Sequence, residues 1–258
     1  MSEDRGWRPP ADGGRTGGAG PGQPPSGMGA GPRQVAAALG VALAIVGVAI
    51  FLAGLVTALA ADALGGLGGP RRTLAFLIVL QAAIAFLSVL AAGRFGPRDA
   101  VLSLAPVRGG SRAVLHVLVV MAVVLGLYTI LTVQWFPELV ERDLGQFRPV
   151  LASELALPAF VALAVGAPLS EELLFRGFLM GVLRRSWLGY SGAGLVATLG
   201  WTGLHWGYSA VGLIEVFIAG MIFSWALWRT GSIIAPIACH ALYNATVLAV
   251  LWTFASAG

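Results

Sequence analysis

Three ionisable side chains stand inside an apolar run that is otherwise free of charge: Glu171, Glu172 and Arg176, within Ser170-Glu171-Glu172-Leu173-Leu174-Phe175-Arg176-Gly177 in the stretch 155–183. One Asp, Lys or Arg at the centre of a membrane helix costs about 2.5–3.5 kcal/mol on insertion scales, so such residues are usually retained for a task. On a helix Glu172 and Arg176 share a face at the i,i+4 spacing, which lets the guanidinium neutralise and orient that carboxylate. Glu171 points about 100° away from Glu172 and is the carboxylate left free to meet another helix.

Two more polar clusters follow. His205 closes Trp201-Thr202-Gly203-Leu204-His205, and His240 shares one helix face with Asn244 in His240-Ala241-Leu242-Tyr243-Asn244. Counting helical rise from the chain ends of these runs puts Glu171 at about 20 Å depth, His205 at about 22 Å and His240 at about 15 Å. One carboxylate, two imidazoles and an amide at comparable depth suit peptide hydrolysis in two ways. Glu171 and His205 can hold and deprotonate a water while His240 and Asn244 donate hydrogen bonds to the developing oxyanion. Alternatively, Glu171, His205 and His240 can bind one zinc ion with a position left open for water. The residues leave both routes open.

The elements that must position these groups are membrane helices. The chain has 258 residues, 57% of them hydrophobic and 11% charged, and a mean hydropathy of +0.84, far from the roughly 25% charge of soluble domains. An all-α, polytopic helical bundle is expected, with about seven spans and a range of six to eight: 35–61, 73–92, 113–134, 155–183, 191–206, 210–228 and 231–254. The fourth is too long for a 30 Å hydrocarbon core, so it must tilt strongly, break near Pro168 or run partly outside the bilayer. Residues 1–33, rich in Gly and Pro, read as a disordered tail, and 34–258 as a single transmembrane domain.

Eleven arginines fall on the side of the tail and four on the other. The positive-inside rule then puts the N-terminus in the cytoplasm, and an integral protein of the bacterial inner membrane is expected. The expected partners are membrane lipids and a membrane-associated peptide or protein, with no nucleic acid. The single Cys239 excludes an intrachain disulfide and faces away from His240.

The ordered motifs resemble the CAAX protease and bacteriocin-processing (CPBP) family of intramembrane endopeptidases, which includes type II CAAX prenyl endopeptidases. Its Glu-Glu-x-x-x-Arg motif is matched by Glu171, Glu172 and Arg176, and its His-x-x-x-Asn motif by His240 and Asn244. In its Phe-x-x-x-His motif Trp201 replaces Phe and His205 is kept, a change expected to reshape packing. The resemblance covers about residues 155–250. It implies an intramembrane endopeptidase in which Glu171 and His205 activate water, His240 and Asn244 stabilise the oxyanion, and Glu172 and Arg176 support them. Family members are commonly labelled metalloproteases, and a metal-independent glutamate mechanism has also been advanced for them.

Two other functions compete. A non-catalytic scaffold or immunity protein would use the polar cluster only to specify packing. A proton- or ion-coupled transporter would use it as a relay, although no internal symmetry links the two halves of the chain. Glu215, in the sixth span, is the main rival ionisable residue: a partner for a neighbouring helix, a group lining a water cavity, or a snorkelling side chain. Gly200, Gly203, Gly207, Gly212 and Gly220 read as close-packing positions.

Overall fold

The structure, a computed structural model, describes residues 29–63, 65–66 and 69–255. The expected tail lies almost wholly outside them. The described residues form helices and no strand: α1 (Pro32–Leu59), α2 (Pro70–Phe95), α3 (Arg98–Leu102), α4 (Gly110–Trp135), α5 (Pro137–Gly145), α6 (Arg148–Leu151), α7 (Ala156–Leu183), α8 (Gly189–Leu204), α9 (Ala210–Thr230) and α10 (Ile234–Ala255). Prolines open α1, α2 and α5, where the missing N–H would have had no helical partner.

Among the described residues, α1, α2, α4, α7, α9 and α10 are long and apolar enough to cross a membrane. The chain is thus an all-α polytopic membrane protein. The other expected span, 191–206, is α8, which has 16 residues and at about 1.5 Å per residue reaches only about 24 Å. It ends at Leu204, so His205 caps its C-terminus instead of standing within a helix.

The overlong fourth span does not break at Pro168. It runs unbroken as α7 through two widened π segments, Ala162–Gly166 and Leu173–Leu179. Pro168 cannot donate to the carbonyl of Ala164, and its ring would crowd that carbonyl in an ordinary α turn. The widened segment containing Ala164 relieves the conflict. Such segments are frequent at functional sites, and the second one carries Arg176.

α7 is the central helix: 44% of its most apolar stretch is buried, against 17–39% in the other spanning helices. It packs against α2, α8 and α10, while α1 lies on α2 and α4 on α9. Phe178, Leu174, Phe223 and Leu227 form a buried core between α7 and α9. Leu43 and Phe51 on α1, Phe86 on α2 and Leu127 on α4 stay exposed, the surface that lipid would cover. A methyl group on Gly220 would approach Thr198 Cγ2 to 2.7 Å and Arg176 Nη2 to 2.9 Å, so glycine there lets α9 close on α7 and α8. Gly200 and Gly212 also face near neighbours, whereas Gly203 and Gly207 face open space and are not packing positions.

Candidate active site

Glu172 and Arg176 sit one turn apart on α7 and are both completely buried. Arg176 Nη1 donates to Glu172 Oε1 at 3.0 Å, and Nη2 donates to the carbonyl of Gly220 on α9 at 3.0 Å. The guanidinium also lies over Trp201, 4.8 Å from the ring centre, and over Phe223 at 5.6 Å. This cation is held by charge, carbonyl and two aromatic faces at once, arrangements that together offset the cost of burying it.

Glu172 does more than neutralise Arg176. Its Oε1 lies 3.0 Å from Nδ1 of His240 on α10. A carboxylate only accepts, so Nδ1 carries a proton directed at Glu172. His240 is buried, stacks on Phe223 with ring centres 4.8 Å apart, and turns its Nε2 toward Glu171 Oε2 at 4.0 Å. The ring therefore stands between the two adjacent glutamates.

Glu171 is the open member of the pair, with 23% of its side chain exposed. Its Oε2 accepts a 2.6 Å hydrogen bond from the indole Nε1–H of Trp201 on α8. The backbone carbonyl of the same Trp201 lies 3.0 Å from Nδ1 of His205. A carbonyl cannot donate, so Nδ1–H points to it, and in the neutral ring Nε2 keeps its lone pair. Trp201 thus links the two groups through one residue, its side chain holding Glu171 and its backbone orienting His205. The Trp-for-Phe change, expected only to reshape packing, also supplies an N–H that Phe lacks, and that N–H holds Glu171.

Asn244 lies one turn beyond His240, and its Nδ2 donates to the carbonyl of Leu163 in the first widened segment of α7 at 3.0 Å. One of its two N–H bonds is thus used in tying α10 to α7. Glu171, His205, His240 and Asn244 all line one cavity of about 1420 Å³. Asp143 of α5 and Phe147, the residue before α6, contribute to its wall. Asp143 accepts the backbone N–H of Ser209 at 2.8 Å and its hydroxyl at 2.5 Å, pinning α5 to the N-terminus of α9. Between α8 and α9, burial and then the carboxylates of Glu171, Asp143 and Glu215 push the Tyr208 phenol up.

Among the described residues, no three His, Cys, Asp or Glu side chains gather as the ligands of a metal ion would. Glu171, His205 and His240 share a cavity wall; Nδ1 of each imidazole is held by a carbonyl or carboxylate and Glu171 Oε2 by Trp201, which leaves both Nε2 atoms and Glu171 Oε1 without a protein hydrogen bond among the described residues. The mechanism proposed below uses Glu171, His205 and His240 without a metal.

These features define an intramembrane helical protein with a carboxylate and imidazole centre opening on a large cavity. Residues 153–246 match the model of the Rce1-like family, described as type II CAAX prenyl endopeptidase Rce1-like. The family is the one that the three motifs resemble. A curated relative, an uncharacterised 24.3 kDa protein of Escherichia coli, is 37% identical over 89 residues, covering 33% of this chain and 40% of that protein. No solved structure matches the chain.

Proposed function

We propose that the protein is an intramembrane endopeptidase that hydrolyses a peptide bond in a membrane-associated protein or peptide, with Glu171 as the general base. The observation that carries this reading is the division between the two glutamates. Glu172 is buried and committed to Arg176 and His240, whereas Glu171 opens on the cavity with His240 Nε2 4.0 Å from its Oε2.

In this mechanism a water between Glu171 and His205 Nε2 gives a proton to the carboxylate as its oxygen attacks the scissile carbonyl carbon. His240, in its doubly protonated form, and the second N–H of Asn244 donate to the oxyanion. The tetrahedral intermediate collapses, the C–N bond breaks, and Glu171 returns its proton to the departing amine. The remaining polar groups act indirectly: Trp201 keeps Glu171 and His205 in register, while Glu172 and Arg176 hold His240 against α9. A scaffold would need neither an open carboxylate nor a cavity of this size. The N-terminus is cytoplasmic in this reading, the membrane is the bacterial inner membrane, and the substrate reaches the cavity from the lipid.

Cleavage of a membrane-anchored peptide library by purified protein, compared with Glu171→Gln, His205→Ala and His240→Ala, tests the reading. Losses of about 10²-fold or more in each folded variant are expected, the scale of a positioned acid or base. Equal cleavage by all three variants overturns it.

A further inference from the structure

One carboxylate in the cavity wall, Glu215, has no role in the mechanism above. Glu215 on α9 lies five residues before Gly220 and lines the same cavity as Glu171. Its Oε1 accepts the Thr129 hydroxyl from α4 at 2.9 Å and the Tyr243 hydroxyl from α10 at 2.6 Å. Beside them Tyr128 donates to the carbonyl of Val211, one turn before Glu215, at 2.8 Å. Three helices therefore fix one oxygen of this carboxylate in place. Its Oε2 is neither sealed in protein nor hydrogen-bonded among the described residues, and no described Arg or His lies within ion-pair distance.

A hydrogen-bonded staple between helices does not need this charge, because a glutamine oxygen would accept the same two hydroxyls. An acid inside a membrane protein without a counter-ion usually faces a substrate or ion path. The other carboxylates lining the cavity are taken: Glu141 by Arg148, Asp143 by Ser209, and Glu171 by Trp201 and the chemistry. The field is nevertheless shared, since burial and then the charges of Glu171, Asp143 and Glu215 push the Tyr208 phenol up.

We propose that Glu215 is a specificity-determining residue that receives a lysine or arginine side chain of the peptide bound in this cavity. The proposal rests on the reading of the cavity as a peptide site. It deepens that reading by naming the substrate class: membrane-associated segments bearing a cationic residue near the point of cleavage. The fixed oxygen orients the carboxylate, and the free oxygen makes a charge-assisted hydrogen bond to the incoming ammonium or guanidinium.

The test measures binding apart from cleavage. Two fluorescently labelled, acetylated 12-residue leucine and alanine peptides, differing only in a central lysine or norleucine, are titrated onto the full chain in detergent micelles. Wild type is expected to bind the lysine peptide about tenfold more tightly. Glu215→Gln, which keeps both hydroxyl contacts, should bring the ratio close to one while leaving norleucine binding unchanged. Equal affinities in wild type, or a preference that survives Glu215→Gln, overturn the proposal. Equal wild-type affinities overturn the proposal even if the variant fails to fold. Lysine preference without cleavage of either peptide supports this site and contradicts the endopeptidase reading; cleavage without preference does the reverse.

Discussion

Replacing Glu172 by Gln should be among the most damaging single changes to folding, because it strands the completely buried Arg176 beside a neutral amide. Breaking one partner of a buried ion pair costs about 3–5 kcal/mol. At 1.4 kcal/mol per tenfold, the folded-to-unfolded ratio falls by a factor of about 10² or more. After that change Arg176 faces a neutral amide oxygen in place of the paired carboxylate, and keeps the Gly220 carbonyl, the faces of Trp201 and Phe223 and the charge of neighbouring Glu171. Arg176→Met is milder, since Glu172 retains the Nδ1–H of His240 at 3.0 Å. The double variant Glu172→Gln with Arg176→Met removes both charges and should recover most of the loss, with a coupling of about 2 kcal/mol or more. Unfolding in mixed micelles titrated with sodium dodecyl sulfate, followed by tryptophan fluorescence, measures all three. If Glu172→Gln costs under about 1 kcal/mol, or the two single effects simply add, the buried pair is not the internal strut inferred here.

Three further outcomes follow from the same geometry. Gly220→Ala places a methyl group 2.7 Å from Thr198 Cγ2 and 2.9 Å from Arg176 Nη2, so the same unfolding titration should register a loss of about 1–3 kcal/mol. Asp143→Ala removes both contacts to Ser209 at the start of α9 and should cost about 1–2 kcal/mol, with faster hydrogen exchange confined to α5 and the first turn of α9. Because no described cluster suits a metal ion, cleavage should persist after prolonged treatment with a strong zinc chelator; loss that zinc alone restores would reinstate the metal route.

The parts of the site that were legible in the sequence are those whose logic is local. The Glu172 and Arg176 pairing follows from i,i+4 spacing, and the charge inside an apolar run marks α7 without any partner in view. The long spans were legible for the same reason, since length and apolarity are properties of contiguous residues. What escaped was set by distant segments. The indole of Trp201 reaches Glu171 from 30 residues away, and His240 reaches Glu172 from 68. The passage of α7 through Pro168 depends on widened turns that no periodicity announces. The end of α8 at Leu204 was masked by the apolar character of the residues around it. Glu215 was legible as an ionisable outlier, but its two hydroxyl partners lie on α4 and α10.

The central claim is that Glu171 activates water to hydrolyse a peptide bond in the cavity. Single-turnover cleavage of a membrane-anchored peptide in ¹⁸O-labelled water, with the fragments weighed by mass spectrometry, tests it most directly. Wild type should yield two fragments with one ¹⁸O atom in the new carboxyl group from the first turnover, and Glu171→Gln should release them at least about 10²-fold more slowly with its fold unchanged. Unaltered release by Glu171→Gln, or a first-turnover carboxyl group without ¹⁸O, would contradict the account.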